Sequence, residues 1–416
     1  MPPVTKLLPK IVKAGRRFGK IASLLAVATF TFVHQATGSS HLDSLVNDAV
    51  KISLEHLERS VSEVADSTLF PSYGTPQLKW KLTKSSDWTS GFYPGCLWYA
   101  FELSHDSRFE SWARSWTGTL EKEKLNKGTH DLGFMMLNSF GNGLRLEKGA
   151  APGNYKDILL TSALTFSSRY SKVIGCLSSD WDIVTVENSF PVIIDIMMDI
   201  ELLFWASVHG GPEDLAEYAR SHALVSARDL VRTDGSTYHI VRYDKKTGAI
   251  LSRGTMQGEG DETTWSRGQA WGLYGMVMSY RYTKDERFLK TATRLADYFL
   301  SHLKGDHVAP WDFQSKIDYR DVSATAIATS ALFELVMYVK GDTVRSRYQT
   351  EAESMLGSLC SASYFTDGKQ TSCLLDHAVQ YLPIHSNVDV PSIFADYYFL
   401  EALVRYRAQK SGSTIN

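Results

Sequence analysis

From about residue 43 to the end, apolar residues recur at three- and four-residue spacing, interrupted by short polar breaks rather than by linkers. "LDSLVNDAVKISLEHLERSVSEV", "RFLKTATRLADYFLSHL" and "SATAIATSALFELVMYV" each place one apolar stripe along a helix. The breaks resemble one another: an aromatic-rich helix end, a polar turn, then a charged helix start. "LWYAFELSHDSRFESWA", "LFWASVHGGPEDLAEYA", "SYRYTKDERFLKTA" and "LVMYVKGDTVRSRYQTEA" are four examples. At roughly 30 residues per helix and connection, the body holds about twelve helices. No Pro- or Ser-rich linker divides it, so residues 41–416 are expected to form one all-α domain. Twelve paired helices predict a closed α/α toroid, although an open helical solenoid satisfies the same pattern. "STYHIVRYDKKTGAILSRG" (236–254) reads as a small β-hairpin inserted between helices.

Residues 1–40 read differently. Six Lys and Arg and no acidic residue precede the apolar "IASLLAVATFTFV" and the small-residue exit "HQATGSS". That is the layout of a secretory signal, and secretion is the expected fate. A membrane anchor through this segment, or a cytoplasmic protein, are the alternatives; thirteen apolar residues are short for a bilayer span, so the mature chain is not expected to insert stably. Without the segment the chain carries 38 basic and 46 acidic residues, which offers nucleic acid no electrostatic footprint. Four cysteines are too few for a disulfide framework, though Cys360 and Cys373 could bridge in an oxidising compartment.

Four stretches set polar groups among Gly and Trp: "DWTSGFYPGCLW" (87–98), "HDLGFMMLNSFGNG" (130–143), "NSFPVIIDIMMD" (188–199) and "ETTWSRGQAWGLYG" (262–275). None is a phosphate-binding loop, a nucleophile elbow or a zinc helix. Carboxylates, a histidine, an arginine and tryptophans suit acid/base chemistry on a sugar ring. "FPVIIDIMMDIELLFWA" (190–206) reads as a buried helix carrying Asp195 and Asp199 four apart on one face. Asp195, between Ile194 and Ile196, has the desolvated setting that lifts a carboxyl pKa, and Asp131 could supply a neighbouring charge. Either aspartate could instead cap a helix or pair with a core arginine. Arg267 and Trp271 share a helix face, an arrangement suited to gripping a carboxylate beside a stacked ring, or to a structural cation–π contact. His239 and Gln257 are candidates for hydroxyl or ring-oxygen contacts, with a structural role equally open.

These motifs, together with "DGSTYHIVRYD" and "DYYFLEAL" (396–403), resemble glycoside hydrolase family 88, the unsaturated glucuronyl hydrolases, in order from about residue 85 to 405. The resemblance implies an (α/α)6 toroid, a six-hairpin barrel. It also implies an activity: hydrating the C4=C5 double bond that polysaccharide lyases leave on a non-reducing-end uronate. Protonation at C4 makes an oxocarbenium-like centre at C5; water adds there, and collapse of the hemiketal releases the remaining sugar and an open-chain keto acid. By motif, Asp195 would be the acid/base and Asp131 the second essential carboxylate. Trp88, Trp181, His239, Gln257, Arg267 and Trp271 would line the uronate subsite, with Arg267 as partner of the substrate carboxylate. No metal or organic cofactor is implied; the expected partner is an unsaturated uronyl oligosaccharide, and the oligomeric state and the leaving sugar stay open. Position 199 departs from the family pattern, Asp standing where Asn is associated with the motif; it would either raise the pKa of Asp195 or face solvent. An unsaturated rhamnogalacturonyl hydrolase and a catalytically inactive sugar-binding toroid are the alternatives; "HDLGF" and "WSRGQAW" favour the glucuronyl group.

Overall fold

The computed structural model describes residues 40–146, 154–179 and 188–413. The chain forms two compact units, Met1–Asp48 and Ala49–Asn416. Of the first, only 40–48 are described, and they are helical; the expected secretory segment lies outside the described residues. In the second unit, α1 (residues 49–64), α2 (Phe92–Ser104) and α3 (Ser107–Thr119) come first. Next are α4 (Leu132–Met136), a π-helical turn (Leu137–Gly141), α5 (Asn142–Leu146) and α6 (Tyr155–Ser167). Then follow α7 (Ile196–Asp199), α8 (Glu201–Val208), α9 (Asp214–Asp229), α10 (Ser266–Thr283) and α11 (Glu286–Ser301). The last are α12 (Val322–Leu335), α13 (Asp342–Leu359) and α14 (Ile393–Ser411).

Packing turns this list into a ring. α2 packs on α14 and on the α4–α5 stretch, α4 on α7, α7 on α10, α10 on α12, and α12 on α14. The intervening helices form an outer layer, α3 against α2, α6 against the α4–α5 stretch, α9 against α8, α11 against α10 and α13 against α12. α1 joins it through Ser60 Oγ and Tyr93 OH, 2.9 Å apart. The chain thus alternates outer and inner, and the expected (α/α)6 toroid is the fold. Sequence dictates which helix goes where. α12 is buried at every residue from Val322 to Leu335 and is built largely of small and apolar residues. α11 buries only a stripe through Phe288, Ala292, Leu295 and Phe299, and keeps its charges outside.

The recurring joints share a geometry. His105 and Lys284 each take a left-handed conformation (φ 56° and 54°) at the end of a helix. Asp106 and Asp285 follow, each accepting from the backbone N–H two residues on to cap the next helix.

Small antiparallel sheets sit on this ring: β1 (Leu69–Gly74) with β2 (Trp80–Lys84), and β3 (Tyr170–Ser171) with β4 (Cys176–Leu177). β5 (Ser189–Ile193), β6 (Ile240–Asp244) and β7 (Ile250–Gly254) form a three-stranded sheet, and β8 (Ala378–Tyr381) pairs with β9 (Ser386–Val390). The hairpin expected within 236–254 is β6–β7, and it has a third strand. That strand corrects the helix expected over 190–206: Phe190 to Ile193 pair with β6 from Tyr243 to Ile240, and helix begins only at Ile196. Cys96, Cys176, Cys360 and Cys373 are all buried free thiols, so Cys360 and Cys373 are not bridged. No helix among the described residues is long and apolar enough to cross a membrane.

Candidate active site

Because outer helices alternate with inner ones, the inner helices run parallel and their N-termini gather at one end. Trp88 lies in the 3-10 turn (Trp88–Gly91) that leads into α2. Asp131 is the N-cap residue of α4, Asp195 of α7 and Asp321 of α12, while Arg267 lies in the first turn of α10 and Phe394 in that of α14. Contacts between these residues close the end of the ring. The Trp88 ring lies 5.1 Å from Phe394 and 5.7 Å from Phe134, and the Arg267 guanidinium 5.2 Å from Phe394.

Asp131 and Asp195 face the same small space. Neither side chain makes a capping hydrogen bond, although both stand at helix starts. Asp131 Oδ2 accepts from Thr129 Oγ1 at 2.8 Å, and its Oδ1 lies 3.4 Å from His130 Nε2. Asp195 Oδ2 is buried without a hydrogen-bond partner among the described residues, and His239 Nε2 is 3.6 Å away. The ring of His239 has one orientation that fits: Met256 N–H donates to Nδ1 at 3.1 Å, which leaves the ring proton on Nε2, facing Asp195. Burial first, then Arg267, pushes His239 down to about 3, so the ring is a neutral donor at working pH. Burial is also the main cause lifting Asp195 to about 6; Arg267 and His130 oppose the rise and Asp131 adds to it. Asp195 therefore keeps its proton into mildly acidic solution, as a general acid must.

The remaining candidates divide. His239 and Gln257 meet at one wall, where Gln257 Nε2 donates to Gln380 O at 2.8 Å. Arg267 is almost wholly buried, stacked 4.5 Å from Trp265, and gives its charge to Asp321 at 3.1 Å. It also donates to Val379 O at 2.5 Å and to Gln380 O at 2.9 Å. Of its five N–H donors, three find partners among the described residues. Trp271 is buried with Phe134 at 5.1 Å and Tyr398 at 5.4 Å. Trp181 lies outside the described residues. Asp199 does not face solvent: it is fully buried, with Oδ1 accepting from Phe134 N at 2.9 Å. Its carboxyl is held well above the usual range, first by burial and then by Asp131.

Sequence reasoning missed His130, Asp321 and the β8–β9 hairpin. His130 had a signal, its position beside Asp131. Asp321 had only that of a helix cap, and the hairpin, whose carbonyls receive both Gln257 and Arg267, had none that periodicity could show.

No family model matches the chain. An unsaturated glucuronyl hydrolase of Formosa agariphila is 40% identical over 77% of this chain and 80% of its own length. An unsaturated chondroitin disaccharide hydrolase of Streptococcus agalactiae is 31% identical, over 87% of this chain and 91% of its own. Among solved structures, an unsaturated glucuronyl hydrolase specific for heparin superposes with a TM-score of 0.84 at 36% identity, covering 89% of this chain and 98% of its own. With this identity carried over most of both chains, the protein belongs to the unsaturated glucuronyl hydrolase family.

Proposed function

We propose that the chain hydrolyses oligosaccharides bearing a 4,5-unsaturated glucuronate at the non-reducing end, with Asp195 as the acid/base. Its kinship supports the reaction, and the observation that carries the residue role is the largely buried Asp195 carboxyl, its Oδ2 without a hydrogen-bond partner among the described residues, lifted to about 6 beside Asp131 and a neutral His239. In this reading Asp195 gives its proton to C4, and C5 becomes an oxocarbenium centre stabilised by the ring oxygen. The Asp195 carboxylate then takes a proton from the water that attacks C5. The resulting hemiketal opens at the C5–ring oxygen bond to a ketone, and the hemiacetal left at C1 expels the remaining sugar. Atoms balance with one water for the hydration and no redox step.

The other candidates take supporting roles. His239 offers its Nε2 proton to the uronate or to Asp195. Trp88 supplies a ring face, as Trp181 would by motif, while buried Trp271 backs Phe134 from the interior. Gln257 and Arg267 brace the β8 carbonyls that wall the subsite, and Arg267 adds positive charge toward the uronate carboxylate. The N-termini of α2, α10, α12 and α14 at this end favour an anion in the same place. The presence of Asp131, Asp195, His239 and Arg267 together speaks against an inactive sugar-binding toroid. Residues 1–40 support secretion as part of the same proposal.

The test is direct. The protein is incubated with a panel of lyase-generated unsaturated disaccharides, and the ultraviolet absorbance of the conjugated double bond is followed. Decay with at least one substrate, lost in Asp131→Asn and Asp195→Asn, is the expected result. No decay with any substrate overturns the reading.

A further inference from the structure

Asp199 is a buried carboxyl to which the reaction assigns no task. Asp199 sits one turn after Asp195 at the end of α7, with no exposed surface. Its Oδ1 accepts from the backbone N–H of Phe134, in the first turn of α4, at 2.9 Å. Its Oδ2 is buried with no hydrogen-bond partner among the described residues. The backbones of the two helices touch at the same point: a Cβ on Gly133 would stand 2.3 Å from Asp199 Cα. Asp131 is the N-cap of α4 and Asp195 that of α7, so this contact joins the two helices whose caps are the reacting carboxyls.

Resting on the functional reading above, we propose that Asp199 is a positioning residue: an uncharged clamp that fastens α4 to α7 and so sets the spacing of Asp131 and Asp195. The clamp uses a single acceptor oxygen. An ionised carboxylate would bring a full charge into a dry contact with only one donor to receive it, beside two further carboxyls. The titratable groups facing Asp199 are Asp131 and His130 from the start of α4, Asp195 on its own element, and Tyr398 from α14. α10 meets α7 at Gly275, packed on Met197, and brings no charge to that contact. A neutral Asp199 leaves Asp195 free to be tuned by burial and by Asp131. Asparagine offers the same acceptor oxygen without an ionisable proton, which explains how a position associated with Asn in the family motif can hold Asp.

The experiment compares wild type, Asp199→Asn and Asp199→Ala on an unsaturated disaccharide that the wild type consumes, with melting curves recorded for all three. In Asp199→Asn, kcat/KM stays within about threefold of wild type, with the alkaline limb of the pH profile in the same place. Its Tm difference from wild type is the same at pH 5 and pH 8. In Asp199→Ala the folded protein loses roughly 10- to 100-fold in kcat, the size of effect expected when a reacting group is misplaced by about 1 Å, while KM changes little. A folded Asp199→Ala with wild-type kcat overturns the clamp. An alkaline limb displaced by a pH unit or more in Asp199→Asn, or a Tm difference that widens from pH 5 to pH 8, overturns its neutrality. The Tm comparison needs no turnover, so it judges Asp199 even if no disaccharide is consumed; that outcome would count against the functional reading instead.

Discussion

Burial is the first cause of the rise of Asp195 to about 6, with His130 and Arg267 pulling the other way. The same shift makes catalysis and stability both fall as the pH rises. For catalysis, the proton must be present, so kcat/KM is expected to fall about tenfold per pH unit above roughly pH 6. For stability, the folded pKa lies above the unfolded value of 3.8, so the fold binds the proton more tightly than the unfolded chain does. The stabilisation this gives is full below the unfolded value and is lost as pH rises through about 6. A shift of two units corresponds to roughly 3 kcal/mol. Asp195→Asn removes the ionisation. It should cost roughly 10²- to 10⁴-fold in turnover yet melt a few degrees above wild type at pH 8, with that advantage shrinking as the pH falls towards 4. A melting difference unchanged between those pH values would show that the carboxyl is not buried as described. Arg267 illustrates a different limit at this scale. A shared helix face suggested Trp271 as its ring partner, yet the ring it stacks on is Trp265, and its main partner, Asp321, stands 54 residues away, where no local pattern announces it.

Between elements, the most demanding contact is that of α4 with α7. Gly133 is required there for space: a Cβ would lie 2.3 Å from Asp199 Cα and 2.7 Å from Asp199 O, both backbone atoms that cannot rotate away. Gly133→Ala should therefore push α4 off α7, costing about 1–3 kcal/mol by overpacking and lowering kcat far more than the stability loss explains. Denaturant midpoints alongside kcat separate the two effects, and an Ala variant with wild-type kcat would refute the contact's role. The helices themselves were legible because outer helices such as α11 must carry a stripe, and the joints because their polar turns and charged helix starts recur. "FPVII" was not, since β5 is buried on both faces and an unbroken apolar run reads equally as a helix. The β8–β9 hairpin was hidden for another reason. His385 before β9 and Asn387 and Asp389 within it all have φ between 49° and 56°, a left-handed conformation that none of their residue types demands. Asp199 was misjudged in one of its two readings, because burial is decided by the neighbouring helix rather than by its own sequence.

The ring as a whole must close between its last inner helix and its first, and α14 does this with one carboxylate. Glu401, mostly buried, accepts from Tyr99 OH of α2 and Tyr274 OH of α10, each at 2.9 Å, and from Ser330 Oγ of α12 at 2.5 Å. Arg405, one turn on, lies 3.8 Å from Glu401 and 3.1 Å from Glu334 of α12. Four inner helices thus meet at a single side chain. It lines a cavity of about 610 Å³ that also takes in Arg145, Arg281 and Trp205 and includes none of the catalytic candidates. Glu401→Ala removes the shared acceptor of three buried hydroxyls and the more distant of two carboxyl partners of Arg405, which keeps Glu334. Losing a buried acceptor in this way costs about 1–3 kcal/mol. Glu401→Gln keeps an acceptor and should lose roughly half as much. Since the network lies away from Asp131 and Asp195, the folded fraction of either variant should keep kcat and KM near wild type while the denaturation midpoint falls. An Ala variant unfolding at the wild-type denaturant concentration would mean that packing alone closes the ring.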